Sequence, residues 1–402
     1  MGPRLRKAAL TAGPYAALGA CSVLLFLLSE PPTLFSDFNK AYYPAGDAIL
    51  EDGPAAEWQF REEGADGFVN IPIVAYLFAP FALLSEETAG FAFLAAGLAA
   101  TAAVLLLLSP RGGPTVPLAA LFLLNGPLIN ALREGNSTHF VLLGLTGALL
   151  LLAKGRQVPA GALIGVCAIV KLPLLLFGPY FLLRRSWGAA LGAGAALATA
   201  AGASILIFGL EPHLDWYRAC VAPFSLDVVP AFNVQSLDGF LMRLASGASH
   251  LREWTPLEPS NAHRIARAVL LCVLFGLPLW ELLTQPGHAR NPRSDALAFS
   301  LVLTLVLIAS PLTWSHYYAF LLLPFALTLT GRLDLPDDPL TQGLMRASLV
   351  LVSLPVIDVA AIAPRFGETI ARTATSAWFF GGLFLFLALL RGLRLQSRKV
   401  KP

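Results

Sequence analysis

Apolar residues in this chain come in long blocks separated by short polar connections. They neither alternate nor keep to one helical face. The blocks fall at 8–29, 71–84, 89–108, 117–132, 140–153, 158–171, 172–184, 187–208, 264–283, 296–310, 317–330, 344–361 and 374–390. A helix needs about 20 apolar residues to cross a bilayer, and somewhat fewer at a thinned or half-buried site. Lipid offers the backbone no hydrogen-bond partners, so such blocks must be helices. The missing alternation excludes an outer-membrane barrel. The expected fold class is all-α: a polytopic transmembrane helical bundle of about twelve crossings with two structured outer loops. No internal repeat and no soluble domain is visible. The chain therefore reads as a single membrane domain, 1–402. It has a first span at 8–29, an outer loop at 30–70, core helices over 71–208, a second outer loop at 209–263, C-terminal helices over 264–390 and a basic tail at 391–402.

Composition agrees. The chain is 56% hydrophobic and 13% charged, against about 25% charged in soluble proteins. A net charge of +3 gives no reason to expect a nucleic-acid partner. The placement of charge is more informative, because lysine and arginine are retained on the cytoplasmic side. The tail carries Arg391, Arg394, Arg398, Lys399 and Lys401 without an acid, and Arg4, Arg6 and Lys7 precede the first block. Both ends are expected inside. The stretch 30–70 holds Glu30, Asp37, Asp47, Glu51, Asp52, Glu57, Glu62, Glu63 and Asp66 against only Lys40 and Arg61, and is expected outside. Two inside ends require an even number of crossings, whereas the blocks are odd in number. Either 71–84 is re-entrant or 158–184 is one long helix broken at Pro173. The first option puts Arg111, Lys154 and Arg156 inside, the second outside. The box Leu18-Gly19-Ala20-Cys21 resembles a lipoprotein cleavage site, but the apolar run continues through Leu28. A cleavable signal has an apolar region of roughly 7–15 residues, so an uncleaved first helix is expected.

Candidate chemistry is sparse. Asp37 follows the first span and opens Asp37-Phe38-Asn39-Lys40-Ala41-Tyr42, with apolar residues then recurring at helical spacing. That pattern suggests an amphipathic surface helix holding a carboxylate at the water–lipid boundary. An acidic loop kept soluble by its charge is the simpler alternative. Lys171 sits inside an apolar stretch just before Pro173. A charge at a helix centre costs about 2.5–3.5 kcal/mol on insertion scales, so it normally faces a cavity or a partner. A lysine at a helix break could clamp a phosphate, or could simply snorkel to the surface. His316, in Ser310-Pro311-Leu312-Thr313-Trp314-Ser315-His316-Tyr317-Tyr318, could donate to a sugar or phosphate, or be an ordinary interfacial histidine. Asn233, Gln235 and Ser236 could contact a sugar. Asn136-Ser137-Thr138 matches a glycosylation sequon but reads as a turn. Cys21, Cys167, Cys220 and Cys272 show no metal or disulfide spacing. No HExxH, P-loop, GxSxG or dinucleotide fingerprint occurs.

In order, these stretches resemble glycosyltransferase family 87, over roughly residues 8–330. The likeness starts with Asp37-Phe38, Tyr42 and Ala45-Gly46-Asp47-Ala48-Ile49-Leu50, followed by Gly135-Asn136. It continues with Ala160-Gly161-Ala162-Leu163-Ile164-Gly165 ahead of Lys171 and Pro173, then Arg184-Arg185-Ser186-Trp187. Gln235-Ser236-Leu237 and Ser310-Pro311 with Trp314 and His316 complete it. Asn136 stands where the family usually has Gln, and Leu172 separates Lys171 from Pro173. The resemblance implies a GT-C fold and an inverting hexosyltransferase, with mannose the expected sugar. The implied donor is a polyprenyl-phosphate sugar, the acceptor a glycolipid or glycan, and the setting membrane lipid. It further implies Asp37 as catalytic base and Tyr42, Asp47, Asn136, Lys171, Asn233, Gln235 and His316 as substrate-binding, without a cofactor or metal. The expected location is the bacterial cytoplasmic membrane, with the site facing outward. The rival class is a transporter or flippase, which would show paired broken helices and inverted repeats. A non-catalytic scaffold would leave Lys171 unexplained.

Overall fold

The computed structural model describes residues 34–58, 60, 67–283, 292–353 and 367–399. The expected first span at 8–29 and part of the block 344–361 lie outside the described residues. The order of the principal helices is α1 (Tyr43–Asp52), α2 (Glu86–Leu108), α3 (Val116–Leu123), α4 (Gly126–Arg133), α5 (Thr138–Ala153), α6 (Gln157–Val170) and α7 (Phe177–Leu183). There follow α8 (Trp187–Phe208), α9 (Leu237–Ser246), α10 (Asn261–Leu283), α11 (Pro292–Ala309), α12 (Leu322–Leu329), α13 (Pro339–Ser353) and α14 (Ala377–Lys399). Isolated bridges such as Val228 with Leu257 and Val234 with Trp314 are the extended pairings among the described residues. The chain is thus an all-α bundle, as its pattern requires.

The apolar blocks are helical, but several are shorter or more broken than uninterrupted spans. Glu86–Leu108, Trp187–Phe208, Asn261–Glu281 and Gly367–Leu395 are long and apolar enough to cross. Block 117–132 bends by 46° between α3 and α4. Asn125 makes that bend, its side chain accepting from the Leu128 amide at 2.9 Å and starting α4 afresh. Block 71–84 is a 3₁₀ stretch, Pro72–Leu77, followed by the single turn Ala79–Ala82, so it is not a spanning helix. Block 158–184 breaks at Lys171, where α6 gives way to the 3₁₀ turn Leu172–Leu176.

Chain direction sorts the charges to two ends. Helix α5 leaves Asn136 and α6 returns to Lys171, so Lys154 and Arg156 sit at the far end of that hairpin. The same far end collects Arg184 with Asp295, Arg391 with Asp338 and Arg394 with Glu281. Arg332 also donates there, to the Ser109 carbonyl at 3.1 Å. Asp37, Glu134, Lys171 and His316 lie together at the opposite end.

Helices α6 and α8 touch backbone to backbone, which places Lys171. A Cβ on Gly161 would lie 1.9 Å from the Ala189 carbonyl oxygen, and one on Gly192 would lie 2.1 Å from that of Val158. Gly165 meets Ala193 in the same seam. Small residues let membrane helices approach closely where no hydrophobic drive separates lipid from protein contact. Gly161→Leu should therefore force the seam apart at a cost of about 1–3 kcal/mol or more, typical of overpacking. A lower Tm in detergent is the expected readout. Gly194→Ala lies in α8 facing open space and is expected to be neutral or to stabilise slightly through helix propensity.

Candidate active site

The site begins with a turn. Helix α4 ends at Arg133, and Gly135 takes φ +68°, a left-handed conformation that suits glycine. A Cβ there would also lie 2.6 Å from the Phe38 Cβ. The close approach lets the Arg133 carbonyl accept from the Phe35 amide at 2.8 Å, and the Glu134 carbonyl accept from the Asp37 and Phe38 amides at 2.9 and 3.3 Å. Directly after Asp37, residues Phe38–Tyr42 form a π-helical turn that leads into α1. Such turns are rare and recur at functional sites. The apolar face of this segment packs on protein. Phe38 is fully buried 4.8 Å from the Phe93 ring, and Tyr42 stacks on Phe78 at 4.4 Å. The amphipathic segment expected on the membrane surface is therefore folded against α2 and the stretch 72–81.

Asn136 joins the two charges. Its Nδ2 donates to Asp37 Oδ2 at 2.6 Å, and its Oδ1 accepts from Lys171 Nζ at 3.0 Å. Thr138 also donates to that oxygen, from Oγ1 at 2.7 Å and from its amide at 3.1 Å. Asn136 is 3% exposed and bonded at both ends, so the sequon is a structural turn. Lys171 is 4% exposed and does not snorkel. Its Nζ lies 4.7 Å from the Tyr317 ring centroid, in cation–π range. The helix break beside it is compensated: Asn70 Nδ2 donates to the Val170 carbonyl at 2.9 Å and reaches that of Ile169 at 3.4 Å.

A cavity of about 110 Å³ opens over this line. Asp37, Tyr42, Asn136, Lys171, Asn233 and His316 line it, together with Lys40, Glu134, Trp314 and Tyr317. The structure thus brings six of the expected site residues to one place. Asp47 and Gln235 are elsewhere. Asp47 lies on α1 outside the cavity lining. Gln235 is fully buried, donating to the Phe232 and Thr375 carbonyls at 2.7 and 2.8 Å, so its side chain braces the 209–263 loop. Arg243 does the same, donating to the Ala231 carbonyl at 2.8 Å and to Ser376 Oγ at 2.9 Å. The braced segment pairs with 313–315, Gln235 N donating to the Thr313 carbonyl and Ser315 N to that of Asn233. This pairing carries Asn233 and His316 to the cavity.

Glu134 is the site residue that sequence reasoning passed over. Its signal was slight: one acid beside the Gly135-Asn136 turn at the end of an apolar block. Carboxylate oxygens of Asp37 and Glu134 and a ring nitrogen of His316 all lie within 4.8 Å of one another, close enough to hold one metal ion. The Lys171 ammonium already supplies positive charge beside them. Burial holds the Asp37 carboxyl above its ordinary pKa and Glu134 adds to this, while His316, Asn136 and Lys171 oppose it. Burial likewise pushes Glu134 up to about 7, against a hydrogen bond from Asn130 and the charges of Arg133 and Lys171.

That elevation has a sign. A carboxyl that binds its proton more tightly folded than unfolded stabilises the fold fully below its unfolded pKa. For Glu134 this contribution is lost as pH rises from about 4.5 through about 7. Glu134→Gln cannot titrate, so its Tm relative to wild type is expected to rise across that window and level off above it. Thermal melts in detergent at a series of pH values check this; a difference independent of pH contradicts it.

Comparison with known proteins follows the same features. The family model for glycosyltransferase family 87 matches residues 68–311, which contain Glu134, Asn136, Lys171 and Asn233; Asp37 precedes the match and His316 follows it. Among solved structures, the chain is similar to ArnT from Cupriavidus metallidurans bound to undecaprenyl phosphate, at 15% identity and a TM-score of 0.42. That similarity covers 97% of this chain and 78% of that one. Among curated proteins none matches. The family match takes in more than half of the chain, together with the turn and the lysine on which the site is built, so this protein belongs to glycosyltransferase family 87.

Proposed function

We propose that this membrane glycosyltransferase moves a hexose, with mannose the expected sugar, from a polyprenyl-phosphate donor to a glycolipid or glycan acceptor, inverting the anomeric carbon. The observation that carries this is the Asp37–Asn136–Lys171 line, which sets a carboxylate and an ammonium on the two sides of one amide at the cavity wall. Asp37 takes the proton of the acceptor hydroxyl as that oxygen forms its bond to the anomeric carbon. The bond from that carbon to the phosphate oxygen breaks, and the lipid phosphate leaves as an anion that needs no general acid. Lys171 holds the phosphate through charge-assisted hydrogen bonds. Burial and the nearby Glu134 charge, by raising the proton affinity of Asp37, make it a better base.

A lipid donor suits the surroundings. Ala168 and Leu174, three residues to either side of Lys171, belong to a second, apolar cavity of about 170 Å³ that also includes Ile164, Leu175, Leu182 and Leu197. A hydrocarbon chain anchored by its phosphate at Lys171 has apolar surface close by. The site is proposed to face away from the cytoplasm. The basic tail and the Lys154–Arg156 loop share the end opposite Asp37, and basic residues are retained inside. A transporter or flippase is disfavoured by the family match.

Incubation of purified protein with polyprenyl-phosphate mannose and glycolipid acceptors tests the reaction. Asp37→Asn is expected to lower turnover by about 10²–10⁴-fold, the range for loss of general-base catalysis. A hydrogen bond to a charged group contributes about 1.5–3 kcal/mol. Lys171→Met should therefore weaken donor use about 10- to 150-fold, at about 1.4 kcal/mol per decade. Lys171→Arg keeps the charge and is expected to recover part of it. Wild-type turnover in a folded Asp37→Asn protein would remove the base from this residue. Orientation is tested separately. After removal of native cysteines, Gly53→Cys should label with an impermeant reagent in intact cells, and Ser397→Cys only after lysis.

A further inference from the structure

Glu134 has two attachments that the proposed reaction leaves unused. Its main-chain carbonyl holds the amides of Asp37 and Phe38. Its side chain faces His316, with Oε2 3.5 Å from the ring Nδ1. The carboxylate is itself steadied by a hydrogen bond from Asn130, one turn earlier in α4. The imidazole also packs against Tyr317, the two ring centroids 5.0 Å apart in an edge-on arrangement. His316 is 7% exposed, and its Nε2 has no hydrogen-bond partner among the described residues. Yet the same ring lines the cavity with Asp37 and Lys171. A buried polar atom without a partner at a cavity wall points to a group that arrives with the substrate.

We propose that Glu134 is a positioning residue, which fixes the His316 ring with Nδ1–H toward its carboxylate and leaves Nε2 as the acceptor for a hydroxyl of the transferred sugar. A neutral imidazole has one donor and one acceptor nitrogen, and the partner of one sets the role of the other. A carboxylate beside Nδ1 selects the Nδ1–H form, and Nε2 is then left with a lone pair. Lys171 already answers the phosphate, so an acceptor at this wall matches the hydroxyl-bearing part of the donor. Glu134 would thus tie two elements into one register. Its main chain places the base, and its side chain orients the group that reads the sugar. This role rests on the glycosyltransferase reading for its ligand, though not for the state of the ring.

The experiment therefore has two arms. Nitrogen-15 NMR of histidine-labelled protein, with His316 assigned by the signal missing in His316→Gln, is expected to show the Nδ1–H tautomer in the wild-type protein. Glu134→Gln, whose amide can also donate to Nδ1, is expected to shift that signal, while Glu134→Asp retains part of it. This arm needs no turnover, so it stands even if the polyprenyl-phosphate reading fails. In the kinetic arm, Glu134→Gln is expected to lower kcat/KM for the sugar donor about 10- to 100-fold, the scale of one hydrogen bond involving a charged group. Glu134→Asp should recover part of the loss. The double variant with His316→Gln should lose less than the sum of the two single losses, because residues acting as a unit are not additive. A wild-type Nε2–H tautomer, an unshifted signal in Glu134→Gln, or losses that add in the double variant would each overturn the proposal.

Discussion

One amide holds the site together. Asp37 and Lys171 belong to segments far apart in the sequence, and Asn136 bonds to both. Taking either charge out of water alone would carry a desolvation penalty of several kcal/mol per ion. With Asn136 between them, each charge gains a partner and the two attract through a short, partly dry path. Thr138 completes the same oxygen with two further donors. The amide therefore cannot turn over without loss, since its donor and acceptor ends face opposite charges. The rest of the fold brings these three residues to one point.

Each approach has a local cause. The Asp37 segment comes close because Gly135 has no side chain and takes a left-handed backbone. Lys171 is reached because α6 stops there, with Asn70 meeting the carbonyls the break exposes. Helix α6 in turn is set by its glycine seam with α8. The 209–263 loop is pinned by buried Gln235 and Arg243, which donate to backbone carbonyls. These braces act on backbone, so the loop holds Asn233 at the cavity wall and, through its pairing with 313–315, His316 beside it.

The polarity of the molecule follows from the same chain directions. Antiparallel hairpins put Asp37, Glu134, Lys171 and His316 at one end and the Arg184–Asp295, Arg391–Asp338 and Arg394–Glu281 pairs at the other. A lipid phosphate presents its charged head at a membrane boundary and its chain within the hydrocarbon. The polar cavity at Lys171 and the apolar one flanking Ala168 and Leu174 match those two halves. In the proposed reaction, phosphate binding and hydroxyl activation take place side by side at this wall.

Much of this was legible in the sequence by itself. Blocks of apolar residues determine helices, because lipid leaves the backbone no other partner. The skew of lysine and arginine toward the tail indicates an orientation. Asp37 and Lys171 stood out because a charge next to or within an apolar run is costly without a purpose. Only the tertiary structure decided how these meet. Glu134 was invisible because its role depends on contacts to Asp37 and His316, which are distant in the chain. Gln235 looked like a sugar ligand, yet its amide is consumed by carbonyls of its own loop and of the residues before α14. Asp47 shares a family-like motif with Asp37, but the turn of α1 carries it away from the cavity. A sequence shows which residues are expensive to place; which of them pay that cost against each other, and which against substrate, is settled by packing, because hydrogen bonds are made across space and not along the chain.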